Sequence, residues 1–413
     1  MLFYNFTLFI YWCAVHIASL FNEKAKLWVA GRKNSFPTIK KTLIEKDISG
    51  NIIWFHCASL GEFEQGRPVI ESIKKTNSQQ KIVLTFFSPS GYEIRKNYEF
   101  ADAVFYLPLD FKSNAKKFIH LIKPTTAIFV KYEFWLNYLN QLKKQNIPTY
   151  LISATFRPDQ HFFKWYGGIF FKVLKSYKKI FLQDENSFQL LKQHGLTNIE
   201  IAGDTRFDRV IEIQKNFEEI KQIKDFKANH KLIIAGSTWA KDDELILDTF
   251  SQLKNKNCKL LLVPHEVDKK SISETILKIK QHKLNYSLYT EPINNNADVL
   301  VLNTIGLLSK IYFYADVAYI GGSFNGGLHN CLEAAVYGVP VAFYGKEYLN
   351  YNEAVGLVKI GAAISARNSH ELLKAFTLFL EDEKLHKEIE NKLQVFFNEN
   401  SNSTDKILKS IPL

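Results

Sequence analysis

Three charged side chains and one glycine-rich corner carry the chemistry this sequence can offer. Glu62 follows Cys57-Ala58-Ser59-Leu60-Gly61 at the end of a strand-like run and falls in the first turn of the helix expected next. Unpaired N–H groups at a helix start favour an ionised carboxylate, so Glu62 is expected to accept a proton at neutral pH, or else to serve only as a cap. Glu133, in Lys131-Tyr132-Glu133-Phe134-Trp135, stands just past a second strand. A carboxylate among aromatics is costly unless paired; the plain alternative is a glutamate on an exposed turn. Arg206, in Gly203-Asp204-Thr205-Arg206-Phe207-Asp208, offers a planar cationic fork to a phosphate or carboxylate, or pairs with Asp204 or Asp208. The corner Gly321-Gly322-Ser323-Phe324-Asn325-Gly326-Gly327-Leu328-His329-Asn330-Cys331-Leu332-Glu333 follows the strand-like Asp316 to Ile320 and opens a helix at Asn330. Bare amides at such a crossover receive an anion without a side-chain cation, which suits the phosphate of a nucleotide-linked sugar.

Those residues need strand ends to hold them, and the chain supplies strands in two series. Asn51 to His56, Ile82 to Phe87, Val104 to Leu107, Ala127 to Val130, Thr149 to Ser153 and Lys179 to Gln183 read as buried strands, each with a helix-like segment after it. A charged, lysine- and glutamate-rich segment follows Phe207-Asp208-Arg209. A second series then begins at Lys231 to Thr238 and continues near Leu260 to Val263, Val299 to Leu302, Val317 to Ile320 and Pro340 to Tyr344. The expectation is α/β architecture: a membrane anchor and basic connector over 1–34, a Rossmann-like domain over 35–211, a linker over 212–230 and a second Rossmann-like domain with C-terminal helices over 231–413. Open parallel sheets bind ligands at the carboxyl ends of their strands, so the two domains are expected to face a common cleft. In the second, Ser237 and Thr238 after Gly236 offer hydroxyls and amides. Pro264-His265 ends a strand, and Glu333 is suited to a pair of ribose hydroxyls.

The 413 residues carry a net charge of +11, from lysines scattered along the chain rather than clustered. That balance attracts acidic surfaces in general. With no basic helical stripe, zinc-finger spacing or RNA-binding motif, nucleic acid is not the expected partner. Leu2 to Phe21 is an apolar stretch of about the ~20 residues that span a bilayer, broken by Asn5, Thr7, His16 and Ser19 and followed by Lys24, Lys26, Arg32 and Lys33. Positive charge after the apolar run argues against a cleaved signal peptide and puts the rest of the chain in the cytoplasm, with the segment spanning the membrane or lying in its interface. The 4 cysteines, Cys13, Cys57, Cys258 and Cys331, show no C-x-x-C pair or metal spacing. No Asp-x-Asp pair follows a strand and no Walker loop is present, so metal-independent chemistry without a cofactor is expected.

His56-Cys57-Ala58-Ser59-Leu60-Gly61-Glu62, Tyr132-Glu133-Phe134-Trp135, Gly203 to Asp208, Gly236-Ser237-Thr238 and Gly321 to Ala335 stand in the order and spacing of a known family. In them the chain resembles the bacterial 3-deoxy-D-manno-octulosonic acid (Kdo) transferases over nearly its whole length. The resemblance implies a GT-B glycosyltransferase that moves Kdo from CMP-Kdo to a lipid A precursor in lipopolysaccharide biosynthesis, on the cytoplasmic face of the inner membrane. It implies Glu62 as general base and Glu133 and Arg206 as transition-state stabilisers. It also implies CMP contacts from Pro264-His265, Ile305-Gly306-Leu307 and Asn330-Cys331-Leu332-Glu333, beside Ser237, Thr238, Gly322 and Ser323 of the glycine-rich turns. Three positions depart from the pattern: His265 where many members have arginine, Leu307 where an acidic residue is common, and Leu328 within the frequent Gly-Gly-His-Asn run. The glycine corner alone also fits another GT-B transferase or a nucleotide-sugar epimerase, and the fold without turnover would be a membrane-tethered binding protein.

Overall fold

In the computed structural model, which describes residues 2–164, 167–253 and 257–412, the chain divides into two compact units. One comprises Met1–Asp208 with Asn400–Leu413, the other Arg209–Glu399. Each is built on its own parallel sheet.

The N-terminal sheet contains β1 (Ile52–Cys57), β2 (Lys81–Phe86), β3 (Ala103–Tyr106), β4 (Thr126–Val130), β5 (Thr149–Ala154), β6 (Lys179–Leu182) and β7 (Ile199–Ile201). Their order is β3-β2-β1-β4-β5-β6-β7, every neighbouring pair parallel. Strands covered on both faces must be apolar at every position, which is why Ile52 to Phe55 reads as a run and not as an alternation. The two faces remain distinct: Trp54, Val83 and Phe129 enter one core, while Ile53, Phe55, Leu84 and Ile128 enter the other. Strand order reverses between β1 and β4, so a crevice opens at their carboxyl ends. β7, with three residues, is too short to leave a periodic signal and was not anticipated.

The C-terminal sheet contains β8 (Lys231–Thr238), β9 (Cys258–Pro264), β10 (Tyr286–Leu288), β11 (Val299–Val301), β12 (Val317–Ile320), β13 (Val341–Tyr344) and β14 (Ala363–Ala366). The order is β10-β11-β9-β8-β12-β13-β14, again parallel throughout. Its reversal lies between β8 and β12, the strands that end in Ser237-Thr238 and in the glycine corner. The short β10 and β14 likewise went unread in the sequence.

Two segments pack differently from expectation. The helix Ser403–Ser410, expected with the second domain, belongs to the N-terminal unit: Ile407 and Ile411 are buried in the core that holds Phe55 and Ile128. Asp208 holds it there, its Oδ1 and Oδ2 accepting from Asn402 N and Thr404 N at 2.6 Å each. The expected linker is structured as well. Helix Thr205–Lys215 runs across the boundary, and helix Lys221–Lys227 buries Ile223 and Phe226 in the C-terminal unit, where Ile220 N donates to Tyr314 Oη at 2.6 Å.

The apolar N-terminus forms α1 (Leu2–Ala18), which turns through 119° into α2 (Glu23–Ala30). Seventeen residues reach about 26 Å, short of the ~30 Å hydrocarbon core. Among the described residues no single helix is long and apolar enough to cross a membrane, although the bent pair together passes by length and composition. One side of α1 is docked: Tyr4 Oη donates to Asp110 Oδ2 at 2.7 Å, and Asn137 Nδ2 to Asn5 Oδ1 at 3.0 Å. Its other side leaves Phe3, Phe6, Phe9, Ile10 and Ile17 exposed. A third helix, α3 (Ser35–Glu45), lays Ile39 and Leu43 on the core, and α4 (Leu60–Thr76) follows β1.

Candidate active site

In the N-terminal unit the two candidate carboxylates come from the two strands that flank the reversal point. β1 runs directly into α4, so Glu62 sits in its first turn and caps it. Ala58 N and Ser59 N both donate to Glu62 Oε2, at 2.5 and 3.1 Å. Oε1 has no protein partner among the described residues and is free for a substrate hydroxyl. The cap thus occupies one oxygen of the carboxylate and leaves the other open.

The protonation expectation needs correction. Burial first, and the neighbouring Glu133 charge second, push the Glu62 carboxyl from 4.5 up to about 8; the Ala58 and Ser59 amides and the Lys131 ammonium oppose this and lose. A helix start contributes about 0.3–1 kcal/mol to a nearby charge, less than desolvation plus a like charge removes. Glu62 is accordingly protonated in much of the free protein at pH 7. A pKa near the working pH is nonetheless where a general base is most effective.

Glu133, just beyond β4, is buried rather than on an exposed turn. Its Oε2 accepts from Trp135 Nε1 and lies 3.0 Å from His56 Nε2, and its backbone carbonyl accepts from Tyr177 Oη. The aromatic neighbours therefore solvate the carboxylate through their polar edges. Lys131, on the same loop, has φ of 69°, and Ser153 at the end of β5 has 54°. Left-handed backbone at non-glycine residues costs on the order of 1–3 kcal/mol and gathers at functional sites.

Arg206 takes its bland alternative. Its Nη2 and Nε donate to Asp204 Oδ2 at 2.6 and 3.0 Å, and its backbone N donates to Asp204 Oδ1 at 3.0 Å. This pairing orients the fork. The neighbouring Thr205 Oγ1 donates to Gln65 O, which sets this helix start against α4 one turn beyond Glu62.

The C-terminal unit gathers most of its predicted residues at the β8–β12 reversal. Gly321 N donates to Gly236 O at 2.9 Å, and a Cβ on Gly321 would meet Ser237 O at 2.5 Å, so the two strand ends touch only because a glycine is there. Gly322 has φ of 104°. Ser323 is buried, its Oγ without a protein partner among the described residues, an acceptor-donor left open for a ligand. His265 N donates to Thr238 O at 2.8 Å, placing Pro264 and His265 beside Thr238. The His265 ring stacks on Trp239 and on His329, with centroids 4.6 Å away in each case. Burial, then His265, lowers His329 to about 4, so that ring is neutral. Ile305, Gly306 and Leu307 lead into Leu308, whose side chain lies over Gly236. Asn330 Nδ2 donates to Glu333 Oε1 at 3.2 Å.

Two readings of this corner change. The helix after it, Leu332–Ala335, is a single turn, so the corner offers an anion loop amides and hydroxyls and not the helix dipole expected there. Cys331 and Leu332 are fully buried and can offer a ligand only backbone. Sequence reasoning also missed Asp242. Buried, it accepts from Gly322 N at 3.1 Å, Trp239 N at 3.0 Å and Tyr319 Oη at 2.7 Å, and so fixes the corner from beneath. Burial raises its carboxyl above the usual range against those three donors. His56 was missed too; the signal was one polar residue inside an otherwise apolar strand.

Residues 30–209 match the sequence profile of the 3-deoxy-D-manno-octulosonic-acid transferases (kdotransferases). The 3-deoxy-D-manno-octulosonic acid transferase of Aquifex aeolicus is 29% identical over 338 residues, covering 80% of this chain and 87% of the relative. That of Chlamydia trachomatis serovar A is 28% identical over 378 residues, covering 87% and 86%. Among solved structures, UDP-GlcNAc 2-epimerase from Neisseria meningitidis bound to UDP-GlcNAc superposes with a TM-score of 0.62 at 14% identity, over 87% of this chain and 99% of its own. A UDP-forming trehalose-phosphate synthase from Burkholderia xenovorans gives 0.52 at 12%, over 87% and 98%. At such identities these structures speak for fold alone: two parallel-sheet α/β units of GT-B type. The profile over residues 30–209 and the relatives over 80–87% of the chain agree, and together they support a 3-deoxy-D-manno-octulosonic acid transferase, a glycosyltransferase of lipopolysaccharide biosynthesis.

Proposed function

We propose that the donor is CMP-Kdo, the acceptor a lipid A precursor, and the transfer inverting and metal-independent. The observation that carries this reading is the placement of Glu62 at the β1–β4 reversal with one oxygen held by amides, the other free, and a pKa of about 8. Glu62 removes the proton of an acceptor hydroxyl as it attacks the anomeric carbon from the face opposite the phosphate, which inverts that centre. Arg206, oriented by Asp204, and Glu133 answer the charge that develops in the transition state. CMP leaves from the C-terminal unit, held by Ser237, Thr238, Ser323 and the loop amides of the glycine corner, with His265 supplying a ring where many relatives carry arginine. The open Ser323 hydroxyl favours a phosphate there.

The same reading places the protein on the cytoplasmic face of the inner membrane. Its support is the outward apolar side of α1, continued by Leu20 and Phe21, with exposed Lys24, Lys26 and Lys33 close by in the chain. That composition suits a helix lying in an anionic interface. The deciding experiment is Glu62→Gln assayed for Kdo transfer from CMP-Kdo to a defined lipid A precursor. Turnover should fall at least about a hundredfold, as removal of a general base does; near-full turnover refutes the base role.

A further inference from the structure

Arg32, just past α2, carries a cationic fork that is answered by carbonyl oxygens alone among the described residues. Its Nη2 donates to Phe87 O at 2.7 Å and its Nε to Leu107 O at 3.0 Å, the first residues beyond β2 and β3, while Nη1 donates back to Trp28 O at 3.2 Å. The guanidinium carbon lies 3.9 Å from the centroid of the Trp28 ring, 4.8 Å from that of Phe87 and 5.0 Å from that of Tyr106. A flat fork can stack among rings and still reach two strand ends at once, which an ammonium does poorly. Gly31 permits the approach, since a Cβ there would meet Tyr106 Cε2 at 2.1 Å.

The clamp continues to the base, wholly within the N-terminal unit. Phe87 O belongs to the same peptide group as Ser88 N, which donates to Ala58 O at 2.7 Å. Ala58 O belongs in turn to the same peptide group as Ser59 N, which donates to Glu62 Oε2 at 3.1 Å. Arg32 and Glu62 are thus joined by two peptide groups in series, each accepting on one side and donating on the other, so that each hydrogen bond polarises the next. The Phe87 ring also stands behind Glu133: it packs on Trp135 at 4.7 Å between centroids, and Trp135 Nε1 donates to Glu133 Oε2.

We propose that Arg32 is a positioning residue for Kdo transfer: by fixing the Phe87–Ser88 peptide it sets the Ala58–Ser59 turn, which holds one oxygen of Glu62 and aims the other at the acceptor. The inference rests on Glu62 being the base. Arg32 acts through these peptide groups and not on the substrate. Trp28, whose carbonyl and ring both meet Arg32, packs edge-on against Tyr11 of α1 at 5.9 Å between centroids, so the base is braced from the apolar N-terminal segment as well as from the sheet.

Arg32→Met keeps an unbranched stem among the three rings and removes every donor. It should lower kcat for Kdo transfer about ten- to hundredfold, the scale of a base misplaced by about an ångström, with KM for CMP-Kdo and CMP affinity within about twofold of wild type, because the nucleotide is proposed to bind in the other unit. Loss of packing also slows an enzyme, so the deciding readout is a cycle with Glu62→Gln. In that background no base is left to aim, and adding Arg32→Met should change the residual turnover by less than about twofold. Wild-type kcat in a folded Arg32→Met protein, or the same fold loss with and without Glu62, overturns the proposal. If Arg32→Met does not fold, Ser88→Pro breaks the chain at its middle: it removes the N–H that reaches Ala58, at a φ of -89° that proline tolerates, and leaves Arg32 in place. It must lower kcat in the same way and add nothing beside Glu62→Gln; failure of either result is equally fatal. Full turnover in Glu62→Gln alone would instead sink the base reading, whatever the Arg32 variants do.

Discussion

Replacing Glu62 by glutamine should stabilise the protein in alkaline solution, although it removes a residue proposed for catalysis. The carboxyl rises from 4.5 to about 8 on folding, a displacement worth up to about 5 kcal/mol at 1.36 kcal/mol per pH unit. Solvent reaching the unpaired Oε1 lowers that, so about 2–5 kcal/mol is expected. A group whose pKa is higher in the folded chain stabilises the fold only while protonated. Below pH 4.5 both states hold the proton and the group costs nothing. As pH climbs toward 8 the unfolded chain releases a proton that the folded chain retains, and stability falls steadily; beyond 8 the loss is complete. Glutamine carries no charge at any of these values, and its carbonyl oxygen still accepts from Ala58 and Ser59. Calorimetric melting of the two proteins at pH 4.5 and pH 9 therefore gives a difference of differences from which titrating groups remote from Glu62 cancel. At about 2–4 °C per kcal/mol for a unit of this size, Glu62→Gln should melt about 4–20 °C above wild type at pH 9, and within about 2 °C of it at pH 4.5. A gap that is the same at both pH values would show that Glu62 is not raised by folding, and the account of its base strength would fail with it.

The glycine corner and the N-terminal helix give two further tests. At Gly322 a Cβ would sit 2.3 Å from Gly327 O at a φ of 104°, whereas at Gly326, with φ of 81°, it would meet nothing within 4 Å. Gly322→Ala should therefore weaken CMP binding at least about tenfold by titration calorimetry, and Gly326→Ala, which bears backbone strain alone, by much less; equal losses would refute the close-approach argument. Phe6 and Phe9 stand 60% and 51% exposed on the outward side of α1. Changing both to serine should reduce co-flotation with anionic phospholipid vesicles by about tenfold or more while leaving CMP affinity unchanged, since burying each ring contributes roughly 1.5–3 kcal/mol; undiminished flotation would rule out this side as the membrane contact.

Much of the architecture is visible in the chain because local rules leave little choice. Ile52 to Phe55, Ile128 to Val130 and Leu260 to Val263 are too short and too apolar to be anything but strands covered on both faces, and their alternation with helical segments forces parallel sheets. The glycines at 321 and 322 likewise announce a backbone that must approach another or turn left-handed. Where the local signal is weak, the reading stops: β7, β10 and β14 are short edge or near-edge strands made by pairing with a neighbour. The C-terminal helix joins the N-terminal unit because Ile407, Ile411 and the Asp208 carboxylate find each other in space.

The sequence by itself determined which residues stand at the carboxyl ends of the strands, and with them Glu62, Glu133 and the glycine corner. Only the tertiary structure decided how those residues are charged and held: that Glu62 is raised by burial and by Glu133, that His56 and Trp135 close on one carboxylate oxygen, that Arg206 turns to Asp204, and that Asp242 lies under Gly322. Strand position follows from a few neighbouring residues and their periodicity. A pKa or a buried hydrogen bond depends on solvent exclusion and on groups distant in the chain, and neither exists until the sheet has closed around them.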